Sequence, residues 1–266
     1  MPHRSTTLRL AVGSIAIASV AALLPVVAQT PAPPAPSLLQ LAVINVRPDM
    51  MKAYVDYQKA EIVPALQKAG VKWRESWRTA MFGDTFEVAH VTEIKSFDQY
   101  DSPSPLRTAL GEAGYAAYQA KVATMITGAR YSAIRTRPDL SYMADPAAAP
   151  PKMAILTNVE VASDKVMEFE SFIKSDWIPA LQKGGGKQYR VAQVVYGGSP
   201  SEYVTLVGLE NFAELGKGHP VTRALGEEGV TKLMTKVGAF ERGIQRRVIR
   251  LDPDMSFSVG ANTQAR

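Results

Sequence analysis

A five-residue run occurs twice in this chain. Pro64-Ala65-Leu66-Gln67-Lys68 is closed by Gly70, and Pro179-Ala180-Leu181-Gln182-Lys183 is closed by Gly185. The offset between the runs is 115 positions, and other matches share it. Leu110-Gly111-Glu112 falls on Leu225-Gly226-Glu227, Gly114 on Gly229, and Phe97 on Phe212. Lys121-Val122 falls on Lys236-Val237, and Pro138-Asp139-Leu140-Ser141-Tyr142 on Pro253-Asp254-Met255-Ser256-Phe257. Solenoid repeats are much shorter, so a period above one hundred residues marks a duplicated unit. Whatever forms must therefore form twice, and 266 residues leave room for two small units.

Each copy reads as the same series of elements. Residues 38–46 and 153–161 have the apolar pattern of a short strand. Residues 49–68 and 164–183 read as a helix. Tyr54, Gln58, Ile62 and Leu66 lie on one face of the first copy; Phe169, Ile173, Trp177 and Leu181 do so in the second. The shared Pro should kink the last turns, and Gly70 and Gly184–Gly186 supply left-handed caps. Two strands follow as a hairpin, at 71–81 and 85–93, and again at 188–196 and 202–209. A short helix then opens with a capping box, Ser96 with Gln99 and Asn211 with Glu214. A longer helix starts at Pro105 or Pro220 and passes a glycine interruption. The last strand is placed at 130–137 and 243–251.

The order β-α-β-β-α-β is ferredoxin-like, and the class is α+β. Helices cover one face of each four-stranded sheet. The other face must also be buried, and two antiparallel sheets facing each other achieve that. The expected boundaries are 38–144 for the first repeat, 145–152 for a linker and 153–258 for the second repeat.

The ends carry other information. Arg4 and Arg9 precede an apolar run, and Val26-Val27-Ala28 presents small residues where a signal peptidase reads, so residues 1–28 are expected to be a cleaved leader. Residues 29–37 form an extended Pro/Ala linker, and residues 259–266 a tail. The mature protein is then exported, to a bacterial periplasm or beyond, with no membrane attachment after cleavage. Setting Arg4 and Arg9 aside reduces the formal charge from +5 to +3, with no long basic run, too mild for nucleic acid. The absence of cysteine excludes disulfides, thiolate metal sites and a catalytic thiol. His3, His90 and His219 are not spaced as a metal motif, so neither metal nor cofactor is expected.

The element order and duplication resemble the dimeric α/β-barrel superfamily over residues 38–142 and 153–257. They are similar in particular to its NIPSNAP-like members, some of which carry tandem copies. The resemblance implies a barrel assembled from two such units, here within one chain. It also implies a ligand site either in a cleft between sheet and helices or in the barrel interior. The superfamily includes cofactor-free monooxygenases, isomerases and haem enzymes. In the haem enzymes the ligating His lies on a helix, whereas His90 lies on an expected strand.

Within the expected fold the first hairpin is the candidate site. Trp73, Glu75 and Trp77 alternate and share one strand face, as do Phe86, Val88, His90 and Thr92 on the neighbouring strand. If the two faces coincide, two indoles, a carboxylate and an imidazole converge on a flat aromatic molecule. His90 and Glu75 would then serve as acid and base, with Trp73, Trp77, Tyr54 and Tyr57 binding the ligand. The same residues also have ordinary uses, with Trp as barrel lining and His as a hydrogen-bonded core residue. Glu75 has Arg74, Arg78 and Arg190 as alternative ion partners. The second copy places Gln188, Arg190, Ala192 and Thr205 at the positions of Trp73, Glu75, Trp77 and His90. The readings that follow are an exported protein binding a small hydrophobic or aromatic molecule, a cofactor-independent monooxygenase or isomerase, or a structural module. Each is compatible with a homo-oligomer.

Overall fold

Branched and aromatic residues in the first half form four strands: β1 (Leu38–Val46), β2 (Trp73–Met81), β3 (Glu87–Ile94) and β4 (Ile126–Thr136). The second half repeats them as β5 (Met153–Val161), β6 (Gln188–Tyr196), β7 (Glu202–Leu209) and β8 (Glu241–Leu251). The structure is a computed structural model that describes Met1, residues 34–146 and residues 148–259. The expected leader, most of the first linker and all of the expected tail but Val259 lie outside the described residues. No described helix is long and apolar enough to cross a membrane.

The eight strands close on themselves. Their order is β2-β3-β1-β4-β6-β7-β5-β8, and β8 pairs back onto β2, with every pairing antiparallel. The two halves meet at seams where β4 pairs with β6 (Ile134 opposite Val194) and β2 pairs with β8 (Trp77 opposite Leu251). Closure leaves no main strand with an unpaired edge. The result is an α+β fold with a closed eight-stranded antiparallel barrel and four main helices packed outside it.

Two of those helices, at 51–68 (α1) and 166–183 (α3), are interrupted by a π turn, at Gln58–Ile62 and Ile173–Trp177. The repeated proline explains both. Pro64 and Pro179 cannot donate a backbone hydrogen bond, and their rings crowd the carbonyl four residues earlier. The helix widens one turn ahead, so the Val63 amide bonds to the Gln58 carbonyl and the Ile178 amide to the Ile173 carbonyl. Gly70 and Gly185 then reverse the chain at φ values of 83° and 74°.

The other two helices are α2 (Pro105–Met125) and α4 (Pro220–Val237), broken at Gly111 and Gly226 with φ near 69° and 66°. His219 caps α4, its Nδ1 accepting from the Val221 amide at 3.2 Å. Of the two expected capping boxes, the Asn211 side chain does accept from the Glu214 amide, at 3.0 Å, whereas Ser96 makes no side-chain cap bond.

Gly184 ends α3 directly beneath the start of α4. A Cβ there would lie 1.8 Å from the Pro220 carbonyl oxygen, on backbone that cannot step aside. Gly184→Ala is therefore expected to cost about 3 kcal/mol or more, read as a lower urea midpoint with an unchanged slope. A midpoint within error of wild type would show that the two helices separate freely.

The matched segments after β4 and β8 cross over. After Pro138–Leu140, the short strand Tyr142–Met143 pairs with β6 of the second half. Phe257–Ser258 pairs with β2 of the first half. Leu140 and Met255, both 0 % exposed, sit in the core of the opposite half. Each half thus lends the other a short arm.

Candidate functional site

Side-chain parity sorts the hairpin residues. Across β2 and β3, Glu75 pairs with Val91, Ser76 with His90 and Trp77 with Ala89. Directly paired residues share a face, so His90 lies with Ser76 and away from Glu75 and Trp77. The two expected faces do not coincide. Trp73, Glu75 and Trp77 point into the barrel lumen, whereas His90 points outward beneath the helices. The chain has two polar centres where the sequence suggested one.

The lumen holds a cavity of about 170 Å³ whose wall draws on all eight strands. Most of the lining is apolar, including Leu39, Leu41, Val43, Ile134, Leu156 and Ile249, with the indoles of Trp73 and Trp77. An apolar cavity of about 150 Å³ accommodates benzene. Near one end, two ion pairs join the halves: Arg247 donates to Glu87 at 2.6 Å, and Arg130 lies 3.6 Å from Glu202.

Deeper in the lumen is a third pair. Glu75 Oε1 and Arg190 Nη1 are 3.6 Å apart, within reach as an ion pair but too far for a hydrogen bond. Glu75 Oε2 accepts from Trp77 Nε1 at 3.3 Å. Glu75 is buried at 7 % exposure, and its Oε1 accepts no hydrogen bond from any described residue. Glu75 and Arg190 hold equivalent positions in the two halves. Strand direction alternates around the barrel, so equivalent strands run the same way and the relation between halves is a half-turn about the barrel axis. Equivalent lumen residues therefore face each other across it. Of the three arginines that the sequence offers Glu75, the one in the other half is its partner.

The second centre is a buried network between α1, β2, β3 and the arm from the second half. The Ser76 hydroxyl donates to the Met255 carbonyl at 2.8 Å. Its oxygen therefore accepts from His90 Nδ1, 2.8 Å away, which leaves Nε2 to accept from the Tyr54 hydroxyl at 2.9 Å. Arg74 donates to the Met255 carbonyl at 3.0 Å, to Ser76 at 3.2 Å and to Gln58 at 2.8 Å. Burial, then the Arg74 charge, holds the His90 imidazolium well below the usual histidine range. Burial also lowers Arg74 to about 10 and raises the Tyr54 hydroxyl. Neither His90 nitrogen is free for an iron, so the residues do not fit a haem held through His90.

Tyr57 is apart from both centres; it stacks on Tyr118, with the Lys121 ammonium 3.7 Å from its ring centre. At the matching positions of the second half stand Phe169, Ile173, Tyr189, Val191 and Thr205, with Leu140 from the arm in place of Met255. That core is largely apolar. Arg74 and Ser76 were not legible as a site because their shared acceptor lies 179 to 181 positions away, on a crossing arm, and Gln58 joins them only through Arg74.

No protein-family model matches the chain, and no curated protein matches it. Solved structures do. An anthrone oxidase-like protein superposes with a TM-score of 0.58 at 12% identity, over 86% of this chain and 96% of its own. A candidate monooxygenase from Lactobacillus acidophilus NCFM gives 0.52 at 9% identity, over 85% of this chain and 97% of its own. The fold is a dimeric α/β barrel. A variant of chlorite dismutase from Candidatus Nitrospira defluvii gives 0.50 at 10% identity, over 82% and 92%. Identities this low speak to the barrel alone. What a dimeric α/β barrel does is set by what its lumen and clefts contain.

Proposed function

We propose that this protein is an exported small-molecule-binding barrel that holds a small apolar or aromatic ligand in its lumen. The cavity of about 170 Å³, walled by all eight strands and mostly apolar, carries the reading. Pockets that bind small molecules have this character: apolar walls with a few convergent polar groups. The tandem β-α-β-β-α-β order supports a duplicated ferredoxin-like unit of NIPSNAP-like kind, and Arg4, Arg9 and the apolar run after them support export.

A test uses toluene as probe. Adding it should raise the melting temperature of the mature chain in proportion to occupancy. Ala192 stands at the position equivalent to Trp77 and lines the cavity. Ala192→Leu fills part of the void, so toluene affinity should fall at least tenfold without loss of stability. Equal binding by both chains would place the probe elsewhere and overturn the reading. Native mass spectrometry of protein from its own cells would identify the natural ligand.

A cofactor-independent monooxygenase or isomerase is the second reading. One observation favours it: Glu75 lines the cavity, and one of its carboxylate oxygens is buried without a hydrogen-bond donor. Such a group can take a proton from a bound substrate. Names of structures sharing the fold, a candidate monooxygenase and an anthrone oxidase-like protein, fit that reading too.

A further inference from the structure

The Glu75–Arg190 pair, both members of which line the cavity, is unfinished. With its amide oxygen turned to the guanidinium, Gln188 accepts from Arg190 Nε and Nη2 at 3.1 Å each, leaving Nη1 turned to Glu75. Glu75 Oε2 has the Trp77 indole N–H, and Oε1 has no donor. A buried acceptor left unmade is costly, and two buried charges held 3.6 Å apart recover little of that cost. The lumen thus offers one acceptor and one donor side by side.

A complementary ligand group must donate to Glu75 and accept from Arg190 through the same small polar head. A neutral hydroxyl does both. An anion would be repelled by Glu75, a cation by Arg190, and a pure hydrocarbon would leave both groups unmade. The remainder of the ligand meets the indoles of Trp73 and Trp77 and aliphatic side chains within about 170 Å³, enough space for an aromatic ring. We propose that the ligand class of this lumen is a neutral phenol, its O–H donating to Glu75 Oε1 and its oxygen accepting from Arg190 Nη1. This rests on the lumen-binding reading above and specifies its polar contact.

Phenol, toluene and benzoate serve as probes, titrated calorimetrically into the mature chain. Phenol should bind at least tenfold tighter than toluene, which has nearly the same shape, and benzoate should not compete. Glu75→Leu alone would strand a buried cation and could fail to fold. The double variant Glu75→Leu/Arg190→Leu removes both charges and suits the apolar lumen. It should invert the preference, binding toluene at least tenfold tighter than phenol. Equal affinity for phenol and toluene in the wild type, or an unchanged preference in the double variant, overturns the phenol assignment and leaves the lumen reading standing. Binding of neither probe overturns both.

Discussion

A chain ended at Leu251 is expected to lose its cooperative unfolding transition, although it keeps all eight barrel strands. The missing residues begin with Asp252, 4 % exposed, whose carboxylate meets Arg78 at 2.7 Å and whose amide donates to the Ser76 carbonyl at 2.8 Å. They include Met255, whose side chain fills the first half's core and whose carbonyl accepts from Arg74 and Ser76. Emptying a buried Met site costs about 2–5 kcal/mol, and taking the Met255 carbonyl away from the buried Arg74 and Ser76 donors adds about 1–3 kcal/mol for each. The sum is comparable with the whole stability of an ordinary domain, about 5–15 kcal/mol. Met255→Ala removes the packing and keeps the carbonyl, so it should lower stability by about 3 kcal/mol and leave a sharp transition. Urea denaturation followed by tryptophan fluorescence separates the cases. A truncated chain with the wild-type midpoint would mean that the arm is an ornament.

Acid should weaken the fold well before its carboxylates titrate. His90 is held neutral by burial and by Arg74, and its neighbours Tyr54 and Ser76 occupy both ring nitrogens. His219 is pushed down to about 4 by burial, with Arg246 and then Arg223 adding to the shift, and its ring lies against Trp177. Both are lowered in the folded state, so below about pH 6.5 the unfolded chain binds protons that the folded chain refuses. Stability is therefore intact above that pH and falls as the pH drops towards 4. Each histidine contributes up to about 1.4 kcal/mol per pH unit. Asp139 and Glu170 are lowered too, by their hydrogen bonds from Arg137, Asp139 to about 2, and their losses begin only at the bottom of this window, near the ordinary carboxylate range. Asn is a good N-cap, so His219→Asn should keep the helix start and remove one of the two proton terms. Urea midpoints at pH 7, 6 and 5 check this. A flat profile, or one that His219→Asn leaves unchanged, would contradict the assignment.

The duplication was legible because Pro64 and Pro179 leave the same mark on the helix before them. Strand and helix order followed from apolar spacing, and closure followed from the need to bury the second sheet face. Side-chain parity across the hairpin was not legible. Trp73, Glu75 and Trp77 fix one face of β2, but which face of β3 lies beside it depends on register. A one-residue difference moves His90 from the lumen to the helices. The arms were legible as matched sequences, Pro138–Tyr142 and Pro253–Phe257, and not as exchanged ones, since nothing local in Leu140 or Met255 says which half receives it. Arg190 stood in view as the counterpart of Glu75. Its role required knowing that counterparts face each other across the barrel axis.

The crossing of the arms also bears on the order in which this protein can be made. Domains near the N-terminus ordinarily fold first as they leave the ribosome. Here the first half is synthesised early, yet the carbonyl that satisfies its Arg74 and the side chain that completes its core belong to Met255, 181 positions further along the chain. Until Met255 has been made, the first half lacks a piece of its own interior. Such a first half has no early compact state of its own to settle into, so the two halves are expected to fold together and not in turn.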